Sequence, residues 1–482
     1  MDNLSFILLT PLIGAFVSLF FRGRISGIFA SSFAFITLSF CVMSILYPQT
    51  VYYEILFFNW FKANLIFGLM NDYLTSIMLI LITLIGLLVI LYSVGYMSPE
   101  NADHPFYSPY GSYYFLMLLF IGAMAGIVMS TNFLQIFFFW EITTLCSWAL
   151  ISYTKEKKAL FSGMKAFIMT HIGGLCFLIA LTIMYVETKS FDFRVFDNLS
   201  EASRLLVLLL LLFAASAKSA QFPLFTWLPD AMVAPTPVSA YLHAAAMVKA
   251  GVYLMARIYI SSTNLTESFA FITATVAVIT MMLSVVLYYF QDDLKKLLAY
   301  STIGHLGYIL LGVSLGILGS KVGGIGGIFH IINHGFAKGL LFLSVGAIAY
   351  ATGTKSIREL RGLGKNFPLL ALCFIVGMFA IVGIPPFSGF WSKFMIFTGA
   401  FELKNNYTAL LGVLSVLESV LSFCWYIFIG HKVFFGTPSD KVLLANNEIP
   451  MTMGVSLILL LIFCLLSPLI GFPFVKSLYG GV

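Results

Sequence analysis

"LLVLLLLLFAASAKSAQFPLFTWLPDAM" (residues 205–232) opens as an unbroken apolar run, then places Lys218 and, five residues on, Pro223 in the same oily segment. The run calls for a solvent other than water, and the rest of the chain repeats that demand. Of 482 residues, 60% are hydrophobic and only 10% charged, where a soluble domain carries roughly 25% charged residues. Runs near the ~20 residues that a helix needs to cross a bilayer recur throughout. They start with "LSFILLTPLIGAFVSLFF" (4–21) and end with "MTMGVSLILLLIFCLLSPLIGF" (451–472). Between these, spans are expected around residues 27–46, 70–92, 113–130, 132–153, 162–186, 204–229, 236–260, 268–290, 296–318, 323–350, 367–398 and 408–435. Only helices or closed barrels satisfy their backbone groups in lipid, and the ten-residue alternation of a barrel is missing. The expectation is an all-α polytopic membrane protein with about fourteen transmembrane helices.

The first run lacks a basic leader and a small-residue cleavage site and flows into a second span, so it reads as a helix and not as a signal peptide. The loops leave no room for a soluble domain. Cys41, Cys146, Cys176, Cys373, Cys424 and Cys464 stand singly in oily segments without a CxxC pair, which gives no support to disulfides, iron–sulfur clusters or zinc. No metal or cofactor is expected. With the N-terminus outside, thirteen basic residues fall in cytoplasmic loops, from Arg22 and Arg24 to Lys432 and Lys441. Eight fall in outer ones: Lys62, Lys189, Arg194, Arg204, Arg257, Lys321, Lys404 and Lys476. The positive-inside tendency then favours a multi-pass protein of the cell membrane with both termini outside. Loop anchoring accounts for the net charge of +6, and no nucleic-acid partner is expected.

The five remaining basic residues are Lys165, Lys218, Lys249, Lys338 and Lys393, all inside expected spans. A charge at the bilayer centre costs about 2.5–3.5 kcal/mol on insertion scales. Snorkelling to the interface accommodates Lys165, close to a helix start, but is strained for Lys218, Lys249 and Lys338. Glu141 ("FFFWEITTLCSW"), Glu418 ("LLGVLSVLESVLSFCWY") and Asp72 ("MNDYLTS") add carboxylates to the same environment. Such groups should be paired, protonated or close to water. Glu141 is the natural partner of a lysine on another helix, forming a unit able to take up and release a proton. Glu418 is a weaker case, being equally suited to facing a neighbouring subunit. "FHIINHGFAKG" puts His330, His334 and Lys338 at i, i+4 and i+8 on one helical face, a stripe suited to relaying protons. Metal or haem ligation by the two histidines lacks a third ligand. His243 and His171 either extend the stripe or are core histidines bonded to a neighbouring helix, and His305 is similar.

Pro223 removes a backbone donor next to Lys218, and irregular backbone at membrane depth is tolerated where protein encloses it or water lines it. "AIVGIPPFSGFWSKFMIF" repeats the device: Pro385 and Pro386 interrupt a span that carries Lys393, 163 residues beyond Pro223. Paired broken helices in corresponding halves point to internal repeats built around an ion path.

"KSAQFPLFTWLPDAMVAPTPVSAYLHAAAMVKAGVYLMAR", "DDLKKLLAYSTIGHLGY", "HIINHGFAKGLLFLSVGAI" and "GIPPFSGFWSKF" together resemble the antiporter-like subunit family. That family is shared by respiratory complex I, membrane-bound hydrogenases, related archaeal complexes and Mrp-type sodium/proton antiporters. The resemblance implies two inverted five-helix repeats, residues 113–262 and 263–436, each with a broken helix. An N-terminal unit of three helices (1–112) would precede them, and a loop with a last helix (437–482) would follow. It also implies a buried line in which Glu141 partners Lys218, Lys249 is the central relay, His330, His334 and Lys338 connect, and Lys393 ends the line. Lysine at that last place leans toward the D-like subunit of antiporters and the H-like subunit of hydrogenases. No lateral helix is expected after the last span, which speaks against the largest complex I member. The function implied is ion translocation, of protons alone or in exchange for sodium, within a redox-driven respiratory complex. The alternative is a multi-subunit Mrp-type antiporter without a redox arm. Implied partners are other hydrophobic antiporter-like and small membrane subunits, the lipid bilayer and, in the redox setting, a peripheral iron–sulfur arm. No redox or hydrolytic chemistry is expected of this chain itself.

Overall fold

The computed structural model describes residues 3–46, 52–60, 63–107, 110–445 and 448–477. Lys62 and the terminal residues 1–2 and 478–482, which enter the expected orientation and domain limits, lie outside the described residues. Two helices, α1 (Asn3–Ser18) and α2 (Gly23–Leu46), precede an antiparallel hairpin of β1 (Tyr52–Trp60) and β2 (Ala63–Met70). Then come α3 (Tyr73–Tyr96), α4 (Gly111–Met129), α5 (Phe133–Ile151), α6 (Lys157–Thr188) and α7 (Glu201–Lys218). The short α8 (Trp227–Asp230) leads to α9 (Thr236–Ala244), α10 (Met247–Ser261), α11 (Glu267–Tyr288), α12 (Leu294–Ile317) and α13 (Lys321–Thr352). The chain continues through α14 (Leu363–Asn366), α15 (Pro368–Val382), α16 (Ser388–Glu402), α17 (Asn406–Phe434), α18 (Asp440–Leu443) and α19 (Met451–Ser477). Among the described residues, eleven helical stretches are long and apolar enough to cross a membrane, with α1 and α15 as shorter apolar helices.

Burial sorts these helices into a centre and a rim. The apolar windows of α9–α10 and α13 are wholly buried, whereas α2, α6 and α17 bury well under half of theirs. The rim turns out side chains such as Phe35, Phe161, Ile179, Val413 and Val420, the composition of a surface solvated by lipid. At the centre, α13 packs against α9, α12, α15, α16 and α19. Polar caps start several helices: Asp72 accepts from the Thr75 amide at 2.8 Å, Asn132 from Gln135 at 2.9 Å and Asp293 from Lys295 at 2.7 Å.

Three expectations change. The chain is not purely α, because residues read as a loop form the β1–β2 hairpin. Short apolar runs such as "ANLIFGLM" carry no periodicity that separates strand from buried helix. The hairpin is docked on α5, where Gln135 Nε2 donates to Gly68 O (2.8 Å) and the Gly68 amide to Gln135 Oε1 (3.0 Å). The span read as continuous over 236–260 is interrupted at Ala245 and Ala246. Arg257, counted as an outer-loop anchor, is buried to 1% exposure.

Candidate functional site

Lys218 ends α7 because the chain cannot continue helically into Pro223. The turn is closed by the Gln221 amide on Ser216 O (2.9 Å) and the Trp227 indole on Ala217 O (3.0 Å). With those carbonyls taken, the fully buried Lys218 Nζ reaches α5. It donates to Thr143 Oγ1 (2.7 Å), Thr144 Oγ1 (2.8 Å) and Trp140 O (3.0 Å). Among the described residues, no hydrogen bond or ion pair joins it to Glu141. Its Oε2 lies 3.0 Å from His171 Nδ1 on α6, a half-exposed pair on the rim. Glu141, read from the sequence as the partner of Lys218, thus makes its direct contact with His171, while Lys218 meets α5 at the Trp140 carbonyl and the Thr143 and Thr144 hydroxyls. Gly174 makes room for it, since a Cβ there would stand 2.2 Å from Glu141 Oε1.

The interruption at Ala245–Ala246 starts α10 in the middle of the molecule and sets Lys249 in its first turn. Lys249 Nζ donates to Ile331 O of α13 at 2.8 Å. Gly251 brings α10 against α7, for a Cβ there would meet Ser219 Oγ and Ala215 O at 2.2 and 2.3 Å. On α13 the stripe is fully buried. His330 faces His305 Nδ1 of α12 through Nε2 (3.0 Å) and Ser392 Oγ of α16 through Nδ1 (2.9 Å). Lys338 Nζ donates to Ser301 Oγ (2.8 Å) and Leu298 O (3.1 Å) on α12, with Tyr426 Oη at 3.5 Å. Neither ring nitrogen of His334 or His243 meets a hydrogen-bond partner among the described residues. Buried polar groups are costly unless bonded, and water is the usual partner where protein offers none.

The second break repeats the first with different contacts. Gly383, at φ +87° in a region that favours glycine, ends α15. Lys393 Nζ then donates to the freed Val382 carbonyl (3.2 Å) and to Ser419 Oγ (3.1 Å), 4.7 Å from the Tyr308 ring centre. Glu418 does not face outward: it is buried to 1% exposure and accepts from Tyr308 Oη at 2.5 Å. The structure therefore gathers Lys218, Lys249, His330, His334, Lys338, Lys393 and Glu418 along one interior course, from α5 and α7 through α10 and α13 to α16 and α17.

Other expected residues lie apart from that course. Lys165 ties α6 to the segment beyond the first break through Asp230 (2.7 Å) and Thr226 O (3.3 Å). Asp72 caps α3 and is ion-paired with Arg257. Pro223, Pro385 and Pro386 are exposed on the chain's own surface. His305 and Tyr308 join the line although only the first drew notice in the sequence, as either an extension of the stripe or a core histidine. Their spacing from Glu418 and His330 is tertiary, and no local pattern announces it.

Known proteins resemble this chain in sequence and fold. Residues 130–422, more than half of the chain, match the family described as NADH:quinone oxidoreductase/Mrp antiporter, TM. Residues 58–107 match the one described as NADH-Ubiquinone oxidoreductase (complex I), chain 5 N-terminus. The chain is 36% identical to the A/B-type subunit of a probable K(+)/H(+) antiporter of Rhizobium meliloti, over 97% of its length and 47% of that protein. It is 38% identical to the A-type subunit of the Na(+)/H(+) antiporter of Bacillus subtilis, over 81% of its length and 50% of that protein. It thus spans about half the length of these curated relatives, which are A-type and not the D-like type toward which Lys393 leans. Among solved structures, a chain of the Mrp complex from Dietzia superposes with a TM-score of 0.87 at 29% identity, over 98% of this chain and 51% of that one. A chain of the membrane-bound sulfane sulfur reductase, an archaeal respiratory complex, superposes with a TM-score of 0.86 at 25% identity, over 99% and 96%. With the broken helices and buried lysines already in place, the match over residues 130–422 establishes that this chain belongs to the NADH:quinone oxidoreductase/Mrp antiporter transmembrane family.

Proposed function

We propose that this chain is an ion-translocating subunit of a multi-subunit membrane complex, moving protons, alone or in exchange for sodium, along a buried Glu/Lys/His relay. The observation that carries the reading is the interior course itself. Lys218, Lys249, Lys338 and Lys393 are each buried, and among the described residues their hydrogen bonds go to hydroxyls and main-chain carbonyls. Neutral acceptors of this kind hold either form of a lysine, whereas a tight carboxylate pair would fix the charged one. In this reading Glu141 and His171 form one end, Lys249 and the α13 stripe the middle, and Lys393 with Glu418 the other end. Fourteen crossings are counted with α7–α8, α9–α10 and α15–α16 as one interrupted span each. They form three N-terminal helices, two repeats (113–262 and 263–436) and a last helix, with both termini on the outer side of the cell membrane.

Two settings for the relay are supported by different observations. Identity is higher with the Na(+)/H(+) antiporter subunits (36–38%) than with the archaeal respiratory chain (25%), which supports an Mrp-type exchanger. The nearly end-to-end match to the respiratory chain supports a redox-driven complex, whose partners would include an iron–sulfur arm. The relay is tested alike in either setting. Lys218→Ala and Glu141→Ala should each abolish ion transport by the reconstituted complex while assembly on native gels persists. Undiminished transport in both variants would remove the relay.

A further inference from the structure

On the face where α3 begins and α10 ends, a cavity of about 640 Å³ is lined by Asn71, Asp72, Thr131, Asp192, Arg194 and Arg257. Its floor is a guanidinium locked from every side. Arg257 forks onto both oxygens of Asp72, with Nη1 on Oδ2 and Nη2 on Oδ1. Nη2 also donates to Thr75 Oγ1 (2.9 Å) and Nε to Tyr253 Oη (3.1 Å). The group lies 5.7 and 5.4 Å from the ring centres of Phe193 and Tyr253. Tyr253 Oη in turn donates to Val128 O at 2.9 Å, and Thr75 Oγ1 to the same carbonyl at 2.9 Å. Three helices, α3, α4 and α10, are thus pinned at one point.

What lies beneath gives this knot a purpose. Lys249, Tyr253 and Arg257 stand at i, i+4 and i+8 of α10 and so share one face; at 1.5 Å per residue Lys249 is about 12 Å below the cavity floor. Arginine stays charged at any working pH, so the guanidinium keeps its hold on Asp72 wherever that carboxylate is ionised. We propose that the Asp72–Arg257 fork is the seal of an aqueous port to Lys249. Closed, it holds the water of the cavity two helical turns from the relay; released, it opens Lys249 to this face of the membrane. The seal rests on the relay reading only for its destination, Lys249.

Hydroxyl-radical footprinting of the whole complex in liposomes reads the seal directly, through oxidation of Tyr253, and a trapped pH dye reads passive proton leak. Asp72→Asn should raise Tyr253 oxidation about tenfold, the population change that losing one charge-assisted hydrogen bond brings, and should raise leak with it. Thr75→Val removes one support of the guanidinium and should move both readings in the same direction. It carries the test alone if Asp72→Asn does not assemble. Unchanged Tyr253 oxidation in the assembled variants would overturn the seal. Adding Lys249→Met to Asp72→Asn should abolish the leak and leave the oxidation high. Persistent leak there would overturn Lys249 as the destination while the seal stands.

Discussion

Glu141 shows how much hangs on the direction in which one side chain leaves its helix. Its neighbour Trp140 offers a carbonyl to Lys218, whereas its own carboxylate turns to His171, with Gly174 leaving it the space. Gly174→Ala would push a methyl group to within 2.2 Å of Oε1 and displace the carboxylate from the imidazole. Losing a charge-assisted bond of this sort costs about 1.5–3 kcal/mol when buried and less when half exposed, so ion exchange should slow by up to about tenfold. Initial rates of cation-driven proton movement in proteoliposomes check this, with His171→Ala expected to match it. A Gly174→Ala complex at full speed would show that the pair's geometry is immaterial. At this scale the sequence was legible where a charge sat in oil, as for Lys218, Lys249, Lys338 and Lys393. It was mute about facing: a glutamate's partner depends on helix rotation, and Arg257 near a helix end looks like any loop cation.

Between elements, the loops on the opposite face are joined by a second set of polar contacts. Lys355, just past α13, bonds Asp103 at 2.9 Å, and the Leu294 amide that begins α12 donates to Lys355 O at 3.0 Å. Ser356 Oγ donates to Asp292 at 2.6 Å. Burial opposes the charge on Lys355, yet the Asp103 carboxylate beside it prevails and holds the ammonium above its ordinary range. A group raised in the folded state stabilises fully below its unfolded value and loses that contribution as pH rises through the folded one. The complex should therefore keep its thermal stability from neutral pH to about 10 and lose part of it beyond, in the range where lysine deprotonates. Lys355→Met should lose roughly 1 kcal/mol at neutral pH and flatten this portion of the alkaline decline, as differential scanning fluorimetry against pH would show. An unaltered alkaline profile would deny the pair that role. Proline made two of the three broken helices readable in advance. The third, at Ala245–Ala246, is built from the best helix former and lies between α9, packed on α13, and α10, packed on α7.

For the molecule as a whole, the exposed breaks at Pro223 and at Pro385–Pro386 set a requirement. Irregular backbone at membrane depth has to be covered by protein or wetted by a cavity, so neighbouring subunits are expected over both. Mass spectrometry of the intact complex, drawn out in mild detergent by a tag on this chain, would identify them. Small hydrophobic and antiporter-like chains alone would indicate the exchanger setting; an accompanying iron–sulfur arm would indicate the redox one. A chain recovered alone, with full transport activity, would contradict the need for partners. The interior course has one further consequence. Four lysines share it with one carboxylate, Glu418, while Glu141 stands at the rim beside it, so the sites for positive charge outnumber the negative charges available to balance them. Like charges in a weakly screened interior exclude one another, and such a set titrates as a unit and not residue by residue. In the relay proposed above, the course would behave as a queue with fewer tickets than places: a charge admitted at one end would advance only as another departs, and an event at Glu141 would be felt at Lys393 without any helix having to move between them.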